Sequence, residues 1–333
     1  MRIGLVFDVH VSDKTPATRK DDYRSAILRK LEFIINESNT RRYKALLFAG
    51  DLFHKKIPAH NSHALISSLI SIFGKSRAPI YIIAGNHDIS GNITNLWQQP
   101  LYVLIKAGVV SILENAEPIL IEDNGFKVSV NGAPFSAARD SKEAAPLYQL
   151  KHVEDSAVKI GVFHQMLLPD GMKFFSDYIN FSDLLSVNSD IIMDGHYHVG
   201  FNPPVQQVSN KYFINGGALS RGTSEHFNQE KKPCYIELEL LPGLDSAYTL
   251  NYEEIIVPHD AGSKIFDVVA IKRRKETQEM KDFINNLSEF ETESLSSQTP
   301  DGVLRILKTM GMEENLLPIA EKYLTSAYER MNS

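Results

Sequence analysis

Short apolar runs that each end in a polar cluster most constrain how this chain can fold. The runs are continuous and rich in β-branched residues, as expected for strands of a sheet buried on both faces. Because loops at strand ends can bring their side chains together at one edge of a sheet, we expect the polar clusters to form a single site. The runs are Ile3–Phe7, Ala45–Phe48, Ile80–Ile83, Ile160–Phe163 and Ile191–Met193.

The polar clusters contain the residue types that bind divalent metal ions. A single buried histidine is more often a core residue than a ligand, so the ordered set carries the prediction rather than any one member. Two aspartates, one asparagine and four histidines are enough to hold two divalent ions side by side. These ligand-type residues are Asp8, His10, Asp51, Asn86, His164, His196 and His198.

The composition is that of an ordinary globular protein. The 333 residues are 43% hydrophobic and 23% charged, which suits one large domain and a smaller one. The single cysteine, Cys234, cannot form an internal disulfide, so we expect a reducing compartment. No apolar stretch reaches the roughly 18 residues of a membrane helix, and the first strand leaves no room for a signal peptide. We therefore predict a cytoplasmic protein without a membrane partner.

The net charge decides little about a nucleic-acid partner. A formal charge of -6 argues at first sight against DNA binding, which usually depends on a basic surface. Two divalent ions held by two aspartates would nevertheless leave the site itself positive, because the charge of the ions exceeds that of their carboxylates. DNA therefore stays open as a partner.

The element order predicts a layered α/β domain over residues 1–227. Helical spacing over residues 21–36, and a second helix from Pro58 to about Phe73, separate the first three strands. This β-α-β-α-β order indicates a layered sheet. The polar clusters stop before residue 228, so we assign residues 228–288 to a small α+β cap domain with DNA-binding potential. Its predicted strands are Tyr235–Leu240, Tyr248–Val257 and Phe266–Ile271.

The last part of the chain predicts a linker and a helical tail. Residues 289–299 are rich in Ser, Thr and Glu and poor in core residues, which is typical of a linker. Apolar residues return at helical spacing over residues 300–333, which predicts a helix pair. Such a pair either docks on its own domain or binds a partner, and we favour a partner.

The motif order resembles that of the calcineurin-like metallophosphoesterases. The pattern D-x-H, G-D-x-x-H, G-N-H-D, H and G-H-x-H extends over roughly residues 1–225, and Gly50-Asp51-Leu52-Phe53-His54 with the trailing helix pair resembles the SbcD branch. Members of that branch are the nuclease subunits of SbcC/SbcD DNA repair complexes. The resemblance implies a two-sheet α/β sandwich core, a small α+β cap domain and a C-terminal helical tail.

The same motifs imply two sets of metal ligands that share one carboxylate. The resemblance assigns the first ion to Asp8, His10, Asp51 and His198, and the second to Asp51, Asn86, His164 and His196. His87 and Asp88 match a catalytic dyad, in which the imidazole acts on the leaving oxygen and the carboxylate orients the imidazole. His54 matches a further active-site histidine of the nuclease branch.

The resemblance also implies an activity, a cofactor and partners. The activity would be hydrolysis of DNA phosphodiester bonds, 3′ to 5′ on duplex ends and endonucleolytic on single strands, in DNA repair, recombination or replication. Two Mn²⁺ ions are the expected cofactor, although imidazole and carboxylate ligands also suit zinc or iron. The expected partners are DNA, a second copy of the chain in a homodimer, and an SbcC-like coiled-coil ATPase bound by the tail.

Two other functions fit parts of the sequence. A small-molecule phosphatase or cyclic-nucleotide phosphodiesterase would share the fold, but His54 and the helical tail disfavour it. A non-catalytic scaffold of the same fold would have lost metal ligands or His87, and none of these residues is missing. A nuclease is therefore the favoured hypothesis.

Overall fold

Two six-stranded sheets form the framework of residues Met1–Phe266. The computed structural model describes residues 1–89, 93–174, 177–223, 226–243, 247–267, 300–309 and 317–331. These residues divide into two units, Met1–Phe266 and Asp267–Ser333. Mixed α/β structure with two large sheets confirms the predicted fold class.

The described strands are short, as their apolar runs predict. The first sheet contains β1 (Arg2–Val6), β2 (Ala45–Phe48), β3 (Ile80–Ile82), β4 (Ser111–Ile112), β13 (Cys234–Pro242) and β14 (Tyr248–Ile256). The second contains β5 (Ile119–Asp123), β6 (Phe126–Gly132), β7 (Val158–Phe163), β10 (Ile191–Asp194), β11 (Val205–Val208) and β12 (Lys211–Ile214). A separate two-stranded sheet pairs β8 (Leu167–Leu168) with β9 (Ile179–Asn180).

Parallel pairing brings the ends of the site-bearing strands side by side. In the first sheet β1, β2 and β3 are parallel and in register, with Val6 opposite Phe48 and Phe48 opposite Ile82. In the second sheet β7 and β10 are parallel, with Phe163 opposite Asp194. The loops that follow these strands therefore leave each sheet at the same edge, which is where α/β sheets bind ligands.

The core lies between the two sheets. Alternate residues of each strand face inward, so Ile3, Leu5 and Leu47 of the first sheet pack against residues of the second. Burying each such side chain contributes on the order of 2 kcal/mol. The facing residues of the second sheet include Val128, Val130, Val158, Ile160, Ile191 and Met193.

Helices cover the outer face of the first sheet. Helix α1 spans Tyr23–Arg41 and begins at Asp22, whose side chain accepts a hydrogen bond from the Ser25 amide. Helix α2 spans His63–Phe73 and is capped by Ser62, and α3 spans Pro100–Lys106. The outward residues of the strands, such as Val6 and Phe48, pack with these helices in a second cluster. Both predicted helices are confirmed.

The remaining described helices are short. Helix α4 spans His226–Glu230 and α5 spans Gly262–Ile265. The 3₁₀ helices are Pro58–His60, Ile93–Gln98, Ala137–Arg139, Lys142–Tyr148 and Phe181–Leu184. The last two of these lie over the outer face of the second sheet, where Tyr148, Phe181 and Phe213 share a third apolar cluster.

The predicted domain change at residue 228 does not match the observed unit boundary. Strand β13 pairs antiparallel with β1, and β14 pairs antiparallel with β13 along nine residues. The strands expected in a cap domain therefore extend the first sheet, and the unit runs to Phe266. The edge of β1 that does not face β2 has backbone N–H and C=O groups that need a partner strand. The sequence does not reveal that β13 is this partner. Residues 268–288 of the predicted cap and the linker at 289–299 lie outside the described residues.

The second unit contains two helices at the positions expected for the tail. Helix α6 spans Pro300–Thr309 and α7 spans Leu317–Met331, and the two helices contact each other. Leu307 on α6 and Ala320 on α7 are buried. Among the helices that the structure describes, none combines the length and apolar character needed to cross a bilayer.

Candidate metal centre

The predicted site residues lie where the chain leaves its strands in an unusual backbone conformation. A positive φ is costly for residues other than glycine and persists only where the surroundings impose it, which is frequent at functional sites. The predicted ligands with positive φ are Asp8 (42°), His10 (49°), Asp51 (49°) and His196 (68°). The strand ends are thus bent to bring these side chains inward.

Two glycines make room for the crowded centre. Gly50 has a φ of 85°, and a Cβ there would lie 2.7 Å from Nδ1 of His164. A Cβ on Gly85 would overlap both the carboxylate and the amide of Asp51. A side chain at either position would therefore displace a residue of the two ligand groups.

One group of convergent atoms comes from Asp8, His10, Asp51 and His198. Their ligand atoms lie within 4.8 Å of one another. The Nε2 atoms of His10 and His198 are 2.9 Å apart, and Nε2 of His10 lies 3.5 Å from Oδ2 of Asp51. The backbone amide of His196 donates to Oδ1 of Asp8 at 3.0 Å. This group matches the ligand set expected for the first ion.

A second group shares Asp51 and adds His164, His196 and Asn86. Nε2 of His164 lies 3.3 Å from Oδ2 of Asp51. Oδ1 of Asn86 is 3.1 Å from Nε2 of His164 and 3.1 Å from Nδ1 of His196. Nδ1 of His164 donates to the Ala49 carbonyl at 2.6 Å, which directs Nε2 into the group. These residues match the set expected for the second ion.

One oxygen of each buried carboxylate lacks a hydrogen bond. Both aspartates are fully buried, and neither Oδ2 of Asp8 nor Oδ2 of Asp51 has a hydrogen-bond partner among the described residues, whereas each Oδ1 accepts from a backbone amide. Burial raises the pKa of Asp8. At Asp51 burial acts in the same direction, but the surrounding histidines, His164 first, together lower the pKa of that carboxyl. Burial opposes a charge on His164, yet the Asp51 and Asp8 carboxylates and the Ala49 carbonyl together raise its pKa to about 10. The negative potential that favours a proton on His164 also favours a divalent cation.

Burial favours the neutral form of two ligand-type imidazoles, those of His10 and His196. Burial lowers the pKa of His10, and burial followed by His164 lowers the pKa of His196 to about 3. A neutral imidazole has a free nitrogen lone pair, which is the form that binds metal ions. Buried carboxylate oxygens without partners, next to neutral imidazoles, fit a pair of divalent ions. Metal identity is not determined by these ligands.

His87 and His54 form a stacked pair beside the first group. Their rings lie 5.6 Å apart at an interplanar angle of 22°, and the His87 ring is 4.9 Å from that of His10. Nδ1 of His87 is 2.7 Å from the carbonyl oxygen of His54. Burial, followed by the His87 charge, lowers the pKa of His54 to about 4. The structure thus brings His54 and His87 together at the site.

Asp88 does not orient the His87 imidazole as predicted. Its carboxylate accepts hydrogen bonds from the backbone amides of Leu52, Phe53 and Gly85 at 3.2, 2.9 and 3.1 Å. Burial, and next the Asp51 charge, raise the Asp88 pKa to about 7. The His54 carbonyl oxygen, rather than the Asp88 carboxylate, contacts Nδ1 of His87. Asp88 instead ties the loop after β2 to the loop after β3, because three amides there need an acceptor.

An open cavity of about 800 Å³ lies next to the metal ligands. His10, His54, His87 and His198 form part of its wall. Lys14 and Lys55 also line it, so cationic side chains stand near the histidines. A substrate with phosphate groups would find charge complementarity here.

Two residues outside the predicted set, Phe135 and Tyr23, support the site. The ring of Phe135, which follows β6, lies 5.7 Å from that of His196 and 6.4 Å from that of His164. The Tyr23 hydroxyl donates to the His10 carbonyl at 2.8 Å and so fixes the turn after β1. Phe135 follows the end of β6, as the ligands follow the ends of their strands. In the sequence, however, an apolar residue at this position cannot be distinguished from an ordinary core residue.

Comparisons with known proteins agree with the motif pattern. Residues 1–200 match the family model described as calcineurin-like phosphoesterase. The match covers β1 to β10 and therefore all the predicted site residues. A search of curated proteins found no match to this sequence.

Solved structures with related folds are distant in sequence. A Staphylococcus aureus protein assigned as a 5′-nucleotidase, in complex with α-ketoglutarate, is 14% identical with a TM-score of 0.49 over 84% of this chain and 58% of its own. The Haemophilus influenzae NAD nucleotidase is 11% identical with a TM-score of 0.44 over 77% of this chain and 56% of its own. This chain thus spans less than two thirds of either protein. Similarities of this size do not identify a substrate.

We predict that Asp51→Asn abolishes tight binding of Mn²⁺ at both groups. The substitution removes the charge that both groups share, and the loss should exceed about 100-fold, since even outer partners of a metal site contribute about 10-fold to 100-fold. Isothermal titration of the chelator-treated protein with MnCl₂ measures it. The matched control is Asp155→Asn at an exposed position, which should bind as the wild type does. Wild-type affinity in Asp51→Asn would contradict the assignment of Asp51.

Proposed function

The chain belongs to the calcineurin-like phosphoesterase family, and from this premise we propose that it is a two-metal-dependent DNA nuclease. The family membership supports metal-dependent hydrolysis of phosphoesters. One observation carries the finer proposal, namely that His54 holds and stacks on His87 at the rim of the ligand groups. His54 is the residue through which the motif resembles the nuclease branch.

The proposed reaction is cleavage of phosphodiester bonds, 3′ to 5′ on duplex ends and endonucleolytic on single strands. In this proposal the chain acts as an SbcD-like subunit in DNA repair or recombination, as a homodimer with a coiled-coil ATPase. Mn²⁺ is the proposed cofactor at both ligand groups. Support comes from the full set of ligand-type residues and from the lysines that line the cavity.

Asp8, Asp51, Asn86 and the histidines of the two groups would hold the ions. When bound, two divalent ions clamp a phosphate for in-line displacement and supply a nucleophile at neutral pH. The protein contributes a fixed cage, because the strand ends and the buried carboxylates are held by backbone amides such as those of His87 and His196. Lys14 and Lys55, which line the cavity, would contact phosphates of the substrate.

His87 would exchange a proton with the leaving oxygen. A carbonyl oxygen only accepts hydrogen bonds, so the contact with the His54 carbonyl places a proton on Nδ1 of His87. Nε2 of His87 then stays available to donate to, or accept from, the leaving group. His54 acts as the positioning residue of this imidazole through its backbone and its stacked ring.

The second candidate function is hydrolysis of a small phosphate ester or cyclic nucleotide. The cavity favours it, because about 800 Å³ lies within the size range of small-molecule pockets. His54 and the helices of the second unit favour the nuclease. The two functions differ in the substrate that the cavity admits, so a direct comparison of substrates separates them.

The test is a Mn²⁺-dependent digestion of an end-labelled DNA duplex by the full-length protein. A nuclease should release mononucleotides from one end and show much lower kcat/KM on a chromogenic phosphate monoester. Asp51→Ala should remove both activities, whereas an exposed control, Asp155→Ala, should keep them. Efficient hydrolysis of the small ester with intact DNA would overturn the nuclease proposal in favour of the second candidate.

We predict that His87→Ala keeps metal binding but slows DNA cleavage by about 100-fold to 10,000-fold, the usual contribution of a general acid or base. The measurement is single-turnover cleavage of labelled duplex together with Mn²⁺ titration of the same variant. The control is His63→Ala at an exposed position at the start of α2, which should cleave normally. Wild-type turnover in His87→Ala would remove His87 from the mechanism.

We predict that deleting residues 300–333 abolishes binding to an SbcC-type ATPase from the same source while Mn²⁺-dependent cleavage is retained. The deleted segment contains α6 and α7, and the side chains of Ile319 and Tyr323 on α7 are 37% and 49% exposed. Exposed apolar side chains on a helix pair are suited to a partner surface. Co-purification of the two proteins measures the association. Its persistence in the truncated chain would contradict the proposed role of the tail.

A further inference from the structure

A second cavity lies outside the candidate metal centre and is lined by cationic side chains. Its volume is about 200 Å³, and none of the predicted metal ligands lines it. Arg19, Lys30 and Arg221 lie in its wall and are only 9%, 3% and 2% exposed. Buried cations are costly unless they are paired with negative charge. The concentration of three such side chains around one cavity therefore requires an explanation.

Two carboxyl residues, Asp21 and Asp260, line the cavity together with four cationic ones, Arg19, Arg29, Lys30 and Arg221, so the cations are in excess. Arg19 forms a two-point ion pair with Asp21, at 2.8 and 2.5 Å, which occupies both oxygens of that carboxylate. Among the described residues, Lys30 and Arg221 have no ion pair. Lys30 donates to the Leu219 carbonyl at 2.7 Å, and Arg221 donates to the Asp260 carbonyl. Both contacts are to neutral carbonyl oxygens, so Asp21 and Asp260 offset these two buried charges only in part and without a direct ion pair.

Arg221 also has an unsatisfied donor. Its buried Nε–H has no hydrogen-bond partner within the part of the chain that the structure describes, and a buried donor left unpaired destabilises the fold. Burial, followed by the charge of Arg19, lowers the pKa of Arg221 to about 10, and burial followed by Arg221 and Arg19 lowers the pKa of Lys30 well below its usual value. The positive charges of these side chains therefore repel one another and lower the pKa values. An anion bound between them would raise the pKa values again.

We propose that the cavity walled by Arg19, Lys30 and Arg221 binds a tetrahedral oxyanion of the phosphate class. Phosphate has several strong acceptor oxygens, and guanidinium and ammonium groups are its usual partners in proteins. The cavity has room for a group of this size, and its lining also includes Arg29 and His259 beside Asp21 and Asp260. The occupant is either free phosphate or the phosphate of a nucleotide, since both present the same oxygens.

The cavity is linked by hydrogen bonds to the strand end that carries Asp8. Lys30 holds the Leu219 carbonyl, and the Leu219 amide donates to the Phe7 carbonyl at 2.9 Å. The Arg221 carbonyl accepts from Arg19 at 2.8 Å. The segment that joins the cavity to β1 is thus fixed at both sides. The site itself, however, requires neither bound metal nor nuclease activity, so its test is independent of the proposed function.

The test uses isothermal titration of the full-length protein with inorganic phosphate at constant ionic strength, before and after metal removal with a chelator. Metal removal separates this cavity from any phosphate bound at the metal centre. We expect one phosphate bound per chain in the metal-free protein. Lys30→Met and Arg221→Gln should each weaken it by about 10-fold to 100-fold, as expected for a lost charge-assisted hydrogen bond.

The matched control is Lys75→Met, whose side chain is 60% exposed on the protein surface, and it should bind phosphate as the wild type does. Lys30→Met should fold, because methionine fills most of the volume of the lysine side chain and only the buried charge is removed. Circular dichroism checks the fold of each variant. A parallel titration with deoxyadenosine monophosphate identifies the source: tighter binding than phosphate indicates a nucleotide, and equal binding indicates free phosphate. No binding to metal-free wild type, or unchanged binding in folded Lys30→Met, would overturn the proposal.

Discussion

The buried carboxylate of Asp51 is the interaction on which the rest of the site depends. It lies in both ligand groups, within 3.5 Å of His10 and 3.3 Å of His164. Its other oxygen accepts the His87 amide, so the same side chain holds the loop that carries the candidate catalytic imidazole. A fully buried charge is tolerated only with strong compensation. Divalent cations would supply that compensation, and the imidazoles and the amide oxygen that surround Asp51 are suitable ligands for such ions.

The two-sheet framework makes this arrangement possible. Residues far apart in sequence meet because parallel strands of both sheets end at corresponding edges, as the pairing of Val6 with Phe48 and of Phe163 with Asp194 shows. Backbone strain at Asp8 and Asp51 is maintained because the apolar faces of β1 and β2 are packed between sheet and helices. The rigid strands thus hold the loops that follow β1 and β2 close together.

Sequence reasoning finds the strands that carry ligands because polar residues interrupt apolar runs at their ends, as at Asp8 and His164. It does not find that β13 and β14 extend the first sheet, because a strand's own pattern does not identify its partner across more than two hundred residues of chain. The actual contacts of Asp88 are equally hidden, since its adjacency to His87 in sequence suggests a dyad. Backbone amides of Leu52 and Phe53 compete for that carboxylate, and only the folded loops bring them near.

Local charge, not net charge, governs what this chain can bind. The sequence carries a net charge of -6, yet Lys14 and Lys55 line the cavity beside the metal ligands, and Arg19, Lys30 and Arg221 wall the second cavity. Surface carboxylates elsewhere are screened over about 10 Å at 0.1 M salt, whereas buried cations are screened much less. A polyanionic ligand would therefore interact with these cationic side chains, while the distant acidic surface would have little effect. The acidic composition and a phosphate-containing substrate are compatible for this reason.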